Sequence, residues 1–131
     1  MYSTESQIGG WTRIDMLLHV YDRAIVALES VIQARQANQQ SILNQRSLEF
    51  GKCMLAIHAG LKPEENEIAF NIARLIHFVQ DQFCQQNFDN AREILESIRT
   101  GYAAIRDQAV ELEMQGKIPA LDAGARFQTH A

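Results

Sequence analysis

The stretch FDNAREILESIRTGYAAIRDQAVEL, residues 88–112, decides the fold of this 131-residue chain. Its apolar residues recur at alternating intervals of three and four positions, as on one face of an α-helix. Because this repeat averages 3.5 residues, it favours neighbouring helices that cross at about 20°, as in antiparallel bundles. We therefore predict one continuous helix, closed by Gly116, with a core face formed by Phe88, Ala91, Leu95, Ile98, Tyr102, Ile105, Ala109 and Leu112.

A similar apolar pattern predicts a first helix from residue 13 to about residue 37. At its start, the side chain of Thr12 can accept the backbone amide of Asp15, and Asp15 can reach back, as in a capping box. Residues 38–40 predict its end. The predicted core face comprises Ile14, Leu17, Leu18, Tyr21, Ile25, Leu28 and Ile32.

A second helix is predicted to end at Gly60, which we expect to adopt a left-handed C-cap, with Pro63 following. The interior Gly51 predicts a close approach between two helices, because glycine otherwise costs about 1 kcal/mol in a helix. The apolar face assigned to this helix comprises Leu48, Leu55, Ala59 and the intervening Cys53, Met54 and Ile57.

A third helix is predicted to begin among the acidic residues 64–67, since negative charge is favourable at the positive end of a helix dipole. It ends near Asn87. Its predicted core face comprises Ile68, Ile72, Leu75, Val79, Gln82 and Phe83.

The connections between these four helices are short, so adjacent helices are expected to run antiparallel. The sequence therefore predicts an all-α protein, an antiparallel up-down-up-down four-helix bundle over residues 12–115. A mobile N-terminal arm at 1–11 and a short C-terminal tail at 116–131 flank it.

Composition argues against several classes of function. The chain carries 12 Lys and Arg against 16 Asp and Glu, a formal charge of −4, which disfavours nucleic acid as a partner. No apolar run approaches the roughly 18 residues of a transmembrane helix, so no membrane insertion is expected. The N-terminus has neither a basic start nor an apolar segment, and Cys53 and Cys84 form no motif. We expect a cytoplasmic protein.

Motifs for catalysis or metal binding are not found. No histidine follows a glutamate by three positions, as a di-iron bundle requires, and no nucleophile or phosphate-loop motif occurs. The sequence thus predicts neither an enzyme nor a cofactor. His58, with Lys62 one turn later, leaves a histidine phosphotransfer bundle as an alternative, although a half-buried histidine at a helix end is the simpler interpretation.

The helices carry more apolar residues than one core face needs. Either the first helix is contacted on two sides, or a groove accepts amphipathic helices of another protein. A self-associating bundle, with a weak homodimer interface, is a further alternative. The residues outside the predicted faces are Met16, Val20, Ala24, Val26, Ala27 and Val31, then Phe70, Ala73, Ile76 and Phe78, and finally Ile94.

The order of several segments resembles the FliS family, the flagellar export chaperones for flagellin. Residues 17–25, LLHVYDRAI, are similar to the family signature LMLYDGAI, and residues 12–15 lie where the family has its helix cap. Tyr2 is close to the position of an N-terminal tyrosine in the family. Residues 67–72, EIAFNI, resemble the start of the family's third helix. Arg23 stands where the signature has glycine.

The resemblance implies a cytosolic chaperone that binds the C-terminal helical region of flagellin and prevents premature polymerisation. It also implies delivery of the client to the flagellar type III export gate. The arm residues Tyr2, Ile8 and Trp11 are expected to contact the client. The helix-1 candidates, from the match to the signature, are Ile14, Leu17, Leu18, Tyr21 and Ile25; apolarity outside the core faces adds Phe70, Phe78 and Ile94.

Overall fold

A computed structural model describes residues 12–118, which form helices and no strand. The prediction of an all-α protein is confirmed, and the helices pack as a bundle. The predicted N-terminal arm, and the tail beyond residue 118, lie outside the described residues. The described helices are α1 (Arg13–Gln36), α2 (Gln40–Gly60), α3 (Glu67–Cys84), α4 (Phe88–Ala104) and α5 (Arg106–Met114).

The chain divides into two compact units. One comprises residues 20–99, which hold most of α1, all of α2 and α3, and α4 up to Arg99. The described part of the other comprises residues 12–19 and 100–118, with the first turns of α1, the end of α4 and α5.

Aromatic residues join three helices within the unit of residues 20–99. The ring of Phe83 on α3 stacks on Phe50 of α2 with centroids 4.5 Å apart and lies 5.1 Å from Phe88 of α4. The guanidinium of Arg35 on α1 lies over the Phe88 ring, 5.4 Å from its centroid. The fully buried large side chains of this unit are Tyr21, Leu28, Val31, Phe50, Met54, Ile57, Ile76, Val79 and Leu95.

Polar pairs also connect the helices of this unit. Arg99 donates to Asp22 with a nitrogen–oxygen distance of 2.6 Å, which links α4 to α1. Arg23 of α1 donates to Glu49 of α2 at 3.0 Å, and Arg46 donates to the same carboxylate at 2.8 Å. These pairs are partly exposed, so burial of the apolar core contributes more to stability than they do.

The predicted start and end of α1 are confirmed. The Thr12 hydroxyl donates to the Asp15 carboxylate at 3.0 Å and accepts the Asp15 backbone amide at 3.4 Å. At the other end, Asn38 has a positive φ of 56°, and the Gln39 amide donates to the Ala34 carbonyl at 2.8 Å. This is a Schellman motif, in which asparagine tolerates the left-handed conformation.

Two predictions about glycines of α2 are wrong. Gly60 is the last helical residue and is not left-handed; Leu61 ends the helix in an extended conformation instead. Pro63 follows in a turn. Gly51 is exposed, and a Cβ built there meets nothing within 4 Å, so this glycine marks no close helix approach.

The predicted single helix over residues 88–112 is also wrong, because it is interrupted at Ile105. There the amide bonds to the carbonyl of Tyr102, three residues back, instead of that of Gly101. The backbone at Ile105 has φ −106° and ψ 8°, outside the helical range. The first half of the predicted face is buried as expected, whereas Ile105 and Leu112 are exposed.

The predicted core faces of α2 and α3 need correction. Leu48 and Leu55 of α2 are exposed, as are Ile68 and Leu75 of α3. The buried residues are Phe50, Cys53, Met54 and Ile57 in α2, and Ala73, Ile76, Val79 and Gln82 in α3.

Candidate partner-binding surface

The helix-1 candidates lie mostly inside the protein. Tyr21 is fully buried, Ile14 and Ile25 are buried, and Leu17 and Leu18 are half-buried. In this conformation, therefore, the side chains of α1 that match the family signature expose little apolar surface to a partner. The assignment of these five residues to client binding stays a prediction.

The additional apolar residues on α1 have two interpretations: either they pack in the core, or they form a groove for another protein. The burial of each residue distinguishes the two. Ala24, Ala27 and Val31, which lie outside the predicted face, are buried. For these three, the interpretation that α1 is contacted on two sides is correct. Val26 is exposed.

The exposed apolar residues of α3 form the clearest candidate surface. Ile68, Leu75 and Phe78, which we call the α3 strip, are 72%, 43% and 46% exposed. Ile68 and Leu75 are seven positions apart and thus only about 20° apart around the helix, and Phe78 lies one turn further. Phe78, selected from sequence, belongs to this strip.

Phe70, a second residue selected from sequence, is exposed on another side of α3. The guanidinium of Arg74, one turn later, lies 6.0 Å from its ring centroid. This distance suits a weak cation–π contact, which orients an aromatic ring that the core does not hold. Ile94, selected on the same grounds, is half-buried in α4.

An open depression of about 730 Å³ adjoins the α3 strip. All of its lining residues belong to α3, so it is a surface feature and not an enclosed cavity. Two apolar side chains lie among one cation, one anion, an amide and an imidazole, a mixture that suits an amphipathic partner. The lining residues are Asn71, Arg74, Leu75, His77, Phe78 and Asp81.

Leu48 and Leu55, which we call the α2 strip, form a second exposed apolar surface. They too are seven positions apart and share one side of their helix. Sequence analysis missed this surface because it assigned both leucines to the core. The spacing from Ile57 was the available signal, since residues nine positions apart, as Leu48 is, or two positions apart, as Leu55 is, point in nearly opposite directions around a helix.

His58 and His77 meet where α2 packs on α3. Their ring centroids are 4.9 Å apart in an edge-to-face arrangement. His58 is half-buried in the last turn of α2, as the simpler interpretation of this residue predicts. Cys53 of α2 is buried and Cys84 of α3 is exposed, and both are free thiols. Burial raises the pKa of the Cys53 thiol, which disfavours a reactive thiolate there.

Within residues 12–118, no three His, Cys, Asp or Glu side chains are grouped to hold a metal ion. None of the described helices combines the length and apolarity that crossing a membrane requires. Comparison of the chain with protein-family models, with curated proteins and with solved structures finds no match.

Proposed function

We propose that this protein is a cytoplasmic flagellar export chaperone that binds the C-terminal helical region of flagellin. It prevents premature polymerisation of the client and aids its delivery to the type III export apparatus. The observation that supports this proposal best is the α3 strip with its adjoining depression. The resemblance of segments within residues 2–113 to the FliS family supports flagellin as the client.

The α3 strip suits the apolar face of an amphipathic helix. Its residues follow helical spacing over about three turns, from Ile68 to Phe78. Burial of apolar surface contributes about 25 cal/mol per Å² before the cost of ordering the client is subtracted. Arg74 and Asp81, which line the depression, supply charges of both signs that can fix the orientation of the bound helix.

The proposal includes an antiparallel up-down-up-down arrangement of α1 to α4. Contacts of Phe50 with Phe83 and of His58 with His77 support opposite directions for α2 and α3, because the later residue on α2 meets the earlier residue on α3. Within residues 20–99, the pairs of Asp22 with Arg99 and of Arg35 with the Gln86 carbonyl support the same for α1 and α4.

A flagellin C-terminal peptide from the same organism provides the test. We expect it to bind the full chain with a dissociation constant of about 1 μM or tighter, and to gain helicity. The double substitution Leu75→Ala with Phe78→Ala is expected to weaken binding by about tenfold or more, because truncation of apolar anchors removes most of the buried contact. Calorimetry gives the affinity, and circular dichroism gives the helicity.

Val26→Ala is the matched control, since Val26 is an exposed apolar residue on a different helix. Its affinity should equal that of the unchanged protein. Undetectable binding of the peptide rejects the flagellin proposal, and equal affinity of the double variant rejects the α3 strip as the site. Sedimentation of the chain alone over a wide concentration range separates client binding from self-association.

A further inference from the structure

Helix α5 docks on the first turns of α1 through charged side chains. Arg106 donates to both carboxylate oxygens of Asp15, at 2.8 and 3.2 Å. At the other end of α5, the Glu113 carboxylate accepts the backbone amide of Arg13 at 3.1 Å. Arg106 and Glu113 are seven positions apart, so both lie on the same face of α5.

In α5 a charged residue is buried and large apolar residues are exposed, which is the opposite of what an amphipathic helix normally shows. Of its residues, all of which are described, only Glu113 is buried, at 6% exposure. Ala109 and Val110, between the two charged residues, are half-buried. Leu112 and Met114 are exposed, as is Ile105 just before the helix. Little apolar surface therefore holds α5 in place, whereas a packed helix normally buries an apolar stripe.

Ionic strength weakens the more exposed of the two charged contacts that hold α5. The side chains of Arg106 and Asp15 are 43% and 22% exposed, so solvent ions reach this pair. Glu113 places negative charge at the N-terminus of α1, where the helix dipole favours it. Because Glu113 is buried, salt screens this contact less than it screens the Arg106–Asp15 pair.

We propose that α5 is an electrostatic latch. It is docked on α1 by Arg106 and Glu113, and it releases as one element while residues 20–99 stay folded. Its two states differ in the Arg106–Asp15 ion pair and in the Glu113 cap of α1. Because these charged contacts are made only in the docked state, conditions or partners that compete for them shift the equilibrium towards release.

Amide hydrogen exchange of the full chain tests this latch. We expect residues 109–114 to exchange through local opening, faster than the core amides of α2 and α3. Raising NaCl from about 0.1 to about 1 M, which shortens the Debye length from about 10 to about 3 Å, should accelerate exchange in α5. The variant Arg106→Gln should accelerate it about fivefold at the lower salt concentration, and added salt should then have less effect.

Arg99→Gln is the matched control. It breaks a comparable arginine–aspartate pair, between Arg99 and Asp22, with side chains 37% and 49% exposed. This variant should leave exchange in α5 unchanged. If the α5 amides exchange only when the core amides of α2 and α3 exchange, the latch proposal is overturned. It is also overturned if α5 opens locally but neither salt nor Arg106→Gln changes the rate. If Arg106→Gln does not fold, the salt titration of the unchanged protein decides alone.

Discussion

At the scale of single residues, Met54 and Leu55 show how sharply burial changes along α2. Met54 is 1% exposed and Leu55 is 69% exposed, although the two are neighbours in the chain. Met54→Ala should lower the free energy of unfolding by about 2–5 kcal/mol, because it removes buried apolar surface and leaves a cavity. Leu55→Ala should change it by about 0.5 kcal/mol or less. Urea unfolding of both variants measures the difference, and equal losses would contradict this assignment of the core face.

The same residues show why sequence analysis misplaced this core face. Leu48 and Leu55 lie on one side of α2, whereas Cys53 and Ile57 lie nearly opposite. Both sides are apolar, and periodicity within one helix does not tell which side meets the other helices. The stacking of Phe50 on Phe83 decides the choice, and this contact joins residues 33 positions apart in sequence.

At the scale of elements, helix ends depend on individual residues. Gln86, just after α3, has a positive φ of 66°, and the Asn87 amide donates to the Gln82 carbonyl at 2.8 Å. Gln86→Gly should raise the free energy of unfolding by up to about 1 kcal/mol, because glycine adopts this left-handed conformation without steric cost. Gln85→Gly is the control. Its φ of −84° suits any residue, so glycine there should lower the free energy of unfolding.

Thermal unfolding of these two variants gives the sign of each change. A decrease in melting temperature for Gln86→Gly, equal to that for Gln85→Gly, would argue against the Schellman motif at the end of α3.

Sequence analysis predicted helix ends where one residue type dictates the local conformation. Thr12 and Asp15 cap α1, and Asn38 and Gly116 adopt the left-handed conformation that ends α1 and α5. Ile105 carries no such signal. It continues the apolar repeat of residues 88–112, and the interruption there is visible in its backbone hydrogen bond and dihedral angles. Periodicity describes a face and does not detect an interruption of the helix.

At the scale of the whole molecule, the additional apolar residues divide between core and surface. Those on α1 are mainly core, because α1 is contacted on two sides, as the burial of Ala24 and Val31 shows. Those on α3 are divided: Phe70 and Phe78 are exposed as selected, whereas Ala73 and Ile76 are buried. Sequence analysis placed the core face of α3 on the wrong side for Ile68 and Leu75, so it identified only part of the α3 strip.

Two carboxylates, one in each unit, contribute to the response of the molecule to acid. Hydrogen bonding to Arg106 holds the pKa of Asp15 below its usual value, and hydrogen bonds from Arg23 and Arg46 do the same for Glu49. Because both pKa values are lower in the folded state than in the unfolded state, the unfolded chain binds more protons in acid. The stability that these groups contribute is therefore complete above about pH 5 and is lost as the pH falls through their folded pKa values.

We accordingly expect the free energy of unfolding to fall between about pH 5 and pH 2, and to fall less in Glu49→Gln, which is already less stable at neutral pH. Val26→Ala, which removes no titratable group and lies at an exposed position of α1, is the control and should keep the pH dependence of the unchanged protein. Urea unfolding at a series of pH values measures both curves. If Glu49→Gln retains the full loss in acid, the pair of arginines around Glu49 does not stabilise the fold, and α1 and α2 are joined by their apolar core alone.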